Sequence, residues 1–161
     1  CIQLATRILE LSSRFAMLRP INGAYCMSAD LKELKIRKLE EAEEVDFGPL
    51  SSYHPLVADG DTPVRTGVQI CEPGYEAQMH WHPYVEVLFI LEGEMDAWQK
   101  GKDPVRLRVG DSIAIPVGMP HSFRTVGDKT MRLLGIHSNS ERVVNYAEGE
   151  TREHGYPVLD E

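Results

Sequence analysis

The sequence predicts an all-β fold, a barrel or sandwich, with an N-terminal helical extension. Two observations carry this. From Ile36 onward the chain breaks into short apolar and polar segments cut by Gly, Pro and Asp, the texture of many short strands joined by turns. Residues 1–19, CIQLATRILELSSRFAMLR, instead place Leu4, Ile8, Leu11, Phe15 and Leu18 at spacings of 4, 3, 4 and 3, the stripe of an amphipathic helix, before Pro20 ends it. A length of 161 residues, 42% of them hydrophobic, suits one compact domain with a sufficient core.

The expected division is an N-terminal extension over 1–35, a barrel over 36–147 and an acidic tail over 148–161 that wraps the surface or frays. Three readings stand for residues 1–26: a helix docking on a sheet or partner, which is favoured, a targeting remnant, or residues added upstream of the start at Met27. The charge run from Glu40 to Glu44 reads as a solvated face, and Asp46 to Pro63 reads as a loop. Strands are expected at 64–71, 75–82, 85–91, 94–99, 105–109, 112–115, 120–126 and 130–137. Pro73-Gly74, Glu92-Gly93, Gly101, Gly110-Asp111, Pro116 with Gly118, and Gly127-Asp128 supply the turns between them.

Composition excludes several classes. With 17 Lys and Arg against 25 Asp and Glu, the formal charge of −8 opposes phosphate backbones and anionic membrane surfaces, so neither nucleic acid nor membrane is an expected partner. No apolar run approaches the roughly 20 residues that span a bilayer, so the chain is expected to be soluble. Cys1, Cys26 and Cys71 are odd in number and widely spaced, which favours a reducing, cytoplasmic setting over a disulfide framework. A homodimer is expected, because an open barrel edge and an amphipathic N-terminal stripe both need covering.

The candidate chemistry starts at HWHPYVE, residues 80–86. Strand side chains alternate faces, so His80 and His82 point the same way with α-carbons roughly 6.6–6.8 Å apart. Two imidazoles so placed can converge on one ion. Gln78 has the same parity and either touches the site or merely faces a polar pocket. Glu86 returns after the turn at Pro83, and Leu88 and Ile90 share its parity as apolar pocket walls. Tyr84 lines the pocket mouth or is an exposed loop aromatic, the second being the commoner outcome. His121 follows Pro116, Gly118 and Pro120, which constrain the backbone leading to it, and Phe123 shares its parity as a further wall, with Arg124 pointing away. His137 has the parity of Met131, Leu133 and Gly135; it is an acid or base reaching the pocket, or a satisfied strand-end histidine.

The order of these residues resembles the cupin superfamily, in particular its small single-domain metal-binding members. Gly74, His80, His82, Glu86 and Gly93 stand at every defined position of the first cupin motif, and Gly110, Pro116, Val117, Gly118 and His121 match the second. The second motif often ends in Asn, where this chain has Thr125. The 16 residues from Glu94 to Val109 between the motifs match the spacing of compact cupins. A lone HxH is weak evidence; two motifs in order, on segments independently read as strands, are strong.

The resemblance implies a cupin-type β-barrel, a double-stranded β-helix of jelly-roll type, running from about Val64 to His137. It also implies one divalent transition metal ion held by His80, His82, Glu86 and His121. Three neutral imidazoles and one carboxylate leave such an ion a net charge of about +1, suited to oxygen-rich or anionic substrates. Donors of this kind fit Fe, Mn, Ni, Zn, Co or Cu without selecting among them. Two function classes follow. The first is a metalloenzyme on a small-molecule substrate, dioxygenase type first and isomerase or lyase next, with His137 and Gln78 as candidate catalytic groups beside a metal-bound hydroxide. The second is a non-catalytic module that binds or senses a small ligand or a metal.

Overall fold

A computed structural model describes residues 34–58, 60 and 62–146. The expected helix over the N-terminal extension and the expected acidic tail lie outside the described residues. Among the described residues, eleven strands follow a 3-10 turn at Leu39–Glu41: β1 (Val45–Asp46), β2 (Ser51–Pro55), β3 (Arg65–Cys71), β4 (His80–Trp81), β5 (Glu86–Glu92), β6 (Glu94–Gln99), β7 (Val105–Arg108), β8 (Ser112–Ile115), β9 (His121–Val126), β10 (Met131–His137) and β11 (Asn145–Tyr146). They form two antiparallel sheets, ordered β1-β2-β3-β10-β5-β8 and β11-β4-β9-β6-β7, which face each other across one core. This is the all-β cupin-type barrel. Among the described residues, no helix is long and apolar enough to cross a membrane.

Period-two patterning explains which faces meet. On β5, Glu86, Leu88 and Ile90 are buried while Phe89 and Leu91 are exposed; on β10, Met131, Leu133, Gly135 and His137 turn inward. Ile90, Met95, Met131 and Leu133 are the most deeply buried large side chains and hold the two sheets together. Fully burying each contributes about 1.5–3 kcal/mol. The register puts Leu88 opposite Gly135 on one side and Ile113 on the other, so an error of one residue would turn Glu86 and His137 out to solvent together.

Two glycines are demanded by close approach. Gly93, between β5 and β6, has φ +75°, and a Cβ there would lie 2.8 Å from the Thr130 carbonyl oxygen and 2.9 Å from Met131 Cα. Gly67 on β3 lies against the tip of the Tyr53 ring, and the phenol already takes the space of a Cβ.

The structure corrects three expectations. The segment 46–63 is not one loop: Ser51–Pro55 pairs with β3 and extends the larger sheet, because Ser51 and Tyr53 bury while Ser52 and His54 are only half-buried. The expected strand 75–82 reduces to an isolated bridge at Glu76 and the two residues of β4, with a bend at Met79. Strict alternation therefore does not run from Gln78 to His82. Beyond the last expected strand, Asn145–Tyr146 returns to pair with Trp81 and His80.

Candidate metal centre

His80 and His82 come from β4 and the residue after it, Glu86 from the first position of β5, and His121 from the first position of β9. Pairing of β4 with β9 sets His80 directly against His121. The nitrogen and oxygen donors of His80, His82, Glu86 and His121 all lie within 4.8 Å of one another, and all four residues are buried. Glu86 Oε2 is 3.2 Å from His82 Nε2 and 3.1 Å from His121 Nε2.

Main-chain carbonyls decide the tautomers. Nδ1 of His80 faces the Gln78 oxygen at 2.7 Å, Nδ1 of His82 faces the Val143 oxygen at 2.5 Å, and Nδ1 of His121 faces the Met119 oxygen at 2.8 Å. A carbonyl only accepts, so each Nδ1 carries the proton and each Nε2 keeps a lone pair for the centre of the cluster. His82 Nε2, His121 Nε2 and Glu86 Oε2 are buried and have no hydrogen-bond partner. Lone pairs converging in a buried space repel unless a cation joins them, so this donor set fits a metal ion. Burial and the neighbouring imidazoles of His121 and His82 push the His80 pKa down to about 3, keeping that ring neutral.

His137 is neither at the surface nor apart from the cluster. It is buried, its Nε2 lies 3.4 Å from Glu86 Oε1, and its ring meets those of His82 and Tyr84 edge-on. Burial lowers its pKa to about 4, so it stands neutral beside the carboxylate.

A cavity of about 360 Å³ opens beside the cluster, lined by His80, Glu86 and His137, by Leu88, Phe123 and Leu133, and on its other sides by Gln69, Tyr75, Phe47, Tyr53, Arg142 and Tyr146. Leu88 and Phe123 line it as the parity argument expects. Ile90 does not: it is fully buried in the core, because the cavity ends one inward position earlier on β5. Tyr84 is neither an exposed aromatic nor a cavity wall. It stacks on His82 with ring centroids 5.2 Å apart, and its hydroxyl accepts from Val143 N–H at 2.8 Å and donates to the Val143 carbonyl at 3.0 Å. Gln78 is exposed at the cavity edge, and its main-chain oxygen is what anchors His80.

Sequence reasoning missed Gln69, Tyr75, Phe47, Tyr53, Arg142 and Val143. The buried stretch Val143–Asn145, apolar at two positions and adjoining Tyr146, was the one available sign that the chain returns to the site after β10. Arg142 carried no sign in the sequence.

Comparison with known proteins agrees with this geometry. Residues 67–137 match a family model described as Cupin domain. Polyketide synthase CurC of Streptomyces cyaneus is 33% identical over 88 residues, covering 54% of this chain and 56% of that protein. Dimethylsulfoniopropionate lyase DddQ of Ruegeria pomeroyi is 40% identical over 73 residues, covering 44% of this chain and 36% of the lyase. The matched part thus spans about half of the first relative and little more than a third of the second. Among solved structures, the polyketide cyclase RemF from Streptomyces resistomycificus superposes with a TM-score of 0.63 at 21% identity, over 76% of this chain and 89% of the cyclase.

Proposed function

Since the chain belongs to the cupin superfamily through residues 67–137, we propose that it is a metal-dependent enzyme that moves a proton within a small oxygen-bearing substrate, as a lyase, isomerase or cyclase does. The observation that carries this reading is the donor set: Nε2 of His82 and His121 and Oε2 of Glu86 converge, buried and unpartnered, with His80 within the same 4.8 Å group. These four residues would hold one divalent ion, and nitrogen and oxygen donors without sulfur suit Fe, Mn, Ni, Zn, Co or Cu. When bound, the ion supplies Lewis-acid stabilisation of negative charge that develops on a substrate oxygen.

The remaining steps fall to the chain's own groups. Glu86 is occupied as a ligand and is not free to act as a base. His137, neutral and on the cavity wall with Nε2 3.4 Å from Glu86 Oε1, is the group assigned to receive or return the substrate proton. Leu88, Leu133 and Phe123 keep water from the reacting face. The names of DddQ, a lyase, and RemF, a cyclase, support this ordering, which sets redox-neutral chemistry ahead of the dioxygenase first expected.

The test is metal analysis of protein purified without added metal, followed by a screen of enolisable carbonyl compounds and substituted carboxylic acids with and without dioxygen. Turnover that survives removal of dioxygen is the expected result. Turnover that requires dioxygen returns the dioxygenase to first place, and ligand-induced stabilisation without any product favours a binding or sensing module. His137→Gln is expected to lower kcat with metal content unchanged; full activity eliminates His137 as the proton carrier.

A further inference from the structure

We propose that a second cavity, separated from the first by Leu88 and Phe123, is a binding site for a neutral single-ring aromatic molecule. The inference goes beyond the proposed function and needs no ion in the cluster.

This cavity has a volume of about 190 Å³. Its floor is formed by Leu88, Ala97, Ile115, His121 and Phe123, all buried, and its sides include the half-buried Ile113 and Met119. At its outer end Val105, Gln99, Lys102 and Asp103 are exposed, so it opens beside β7 and β8, the end strands of the two sheets. Leu88 and Phe123 also line the first cavity, whereas Val105, Ile113 and Met119 do not. The two spaces therefore share a partition and have separate mouths.

Polarity decides the class of ligand. Nδ1 of His121 faces the Met119 oxygen at 2.8 Å, its Nε2 lies 3.1 Å from Glu86 Oε2, and the Ser122 hydroxyl donates to the Ala77 oxygen at 2.6 Å. The side chains at the floor thus leave no donor for an anion, and a charge brought there would lose its hydration without compensation. Size narrows the class further. A dry apolar cavity of about 150 Å³ holds a benzene molecule, so about 190 Å³ fits a six-membered ring with one small substituent. The ring of Phe123, the imidazole of His121 and the thioether of Met119 favour an aromatic ring over a saturated one, through edge and sulfur contacts. A hydroxyl on that ring can point outward to Gln99, Lys102 and Asp103, where donors and acceptors are both at hand.

Toluene, benzyl alcohol and benzoate, titrated into the full chain with ¹³C-methyl-labelled methionines, test this by NMR. Among the described residues Met119 is the one methionine lining either cavity, and loss of its signal in Met119→Leu identifies it. Toluene and benzyl alcohol are expected to shift the Met119 methyl saturably, with Kd about 1 mM or tighter, and to give ring-to-methyl Overhauser contacts. Benzoate is expected to bind at least about tenfold more weakly. Ala97→Leu and Ile113→Trp, which fill the space from opposite sheets, should each weaken toluene at least about tenfold. Thermal midpoints report whether each variant is folded, and Ile113→Trp, at a half-buried position on an end strand, decides the matter if Ala97→Leu does not fold. No contact between toluene and Met119, binding that survives in the folded filled variants, or benzoate bound as tightly as benzyl alcohol overturns the proposal. Binding that appears only on dilution assigns the cavity to a second copy of this chain and overturns it too. Chelating any bound metal is expected to leave toluene binding unchanged, so the result here and the result at the cluster are read separately.

Discussion

The two walls of the cavity are built differently. On the cluster wall, His80 and His121 are each tied through Nδ1 to a main-chain carbonyl two residues earlier, and Glu86 follows His82 by four residues. On the facing wall, Phe47, Tyr53, Arg142 and Tyr146 arrive from β1, β2 and β11 and the segments beside them, drawn from opposite ends of the described chain. On the first wall the rings of His80 and His121 are oriented by local geometry, and that of His82 by the distant Val143 carbonyl. The second is assembled from distant segments by packing and strand pairing, β2 on β3 and β11 on β4.

The sharpest break of this contrast is Glu86→Gln. It should lower metal affinity at least about 100-fold, since a neutral amide replaces the carboxylate that offsets the ion's charge. Phe47→Leu should leave metal affinity unchanged. Competition against a chromophoric chelator measures both, and a large loss in Phe47→Leu would show that the walls are not independent.

Gly93→Ala tests how far the cluster wall depends on its scaffold. The positive φ and the backbone 2.8 Å from a new Cβ should cost about 2–4 kcal/mol in denaturant unfolding. A change below about 0.5 kcal/mol would mean that the β5–β6 turn relaxes freely.

Tyr84→Phe addresses the one place where the walls are joined. It deletes both hydrogen bonds to Val143 and should cost about 1–2 kcal/mol of stability. Metal affinity should fall roughly tenfold, because the Val143 carbonyl that orients His82 is released. Loss of stability without loss of metal affinity would assign Tyr84 to packing alone.

The smallest effect is expected at Cys71, a free and fully buried thiol on β3. Burial pushes its pKa up to about 12, so at pH 8 it stays protonated in the folded protein, and the thiolate needed for alkylation forms only as pH rises toward that value. Peptide mapping after iodoacetamide at pH 8 should find Cys71 unmodified until the chain is unfolded. Rapid modification of the native protein would show that β3 opens locally.

Much of the cluster was legible in the sequence because its geometry is short-ranged. The spacing of His80 and His82, the turn at Pro83 before Glu86, and the alternation of Glu86 with Leu88 or of His121 with Phe123 all follow from the two-residue period of extended chain. The same reasoning misjudged Ile90, Tyr84 and the course of residues 75–79. Parity says which way a side chain points and not where the cavity ends, and it lapses where the chain bends at Met79.

The sequence by itself determined that this chain folds as an all-β barrel of short strands and that His80, His82 and Glu86 could turn toward one ion, since these depend on residues a few positions apart, while His121 was added by the resemblance to cupins and is brought there by the pairing of β4 with β9. Tertiary structure alone decided that His137 lies against Glu86, that Val143 orients His82, and that Arg142 faces the cavity. The reason is register: which strand lies beside which, and at what offset, comes from the burial of the whole core and is written at no single position.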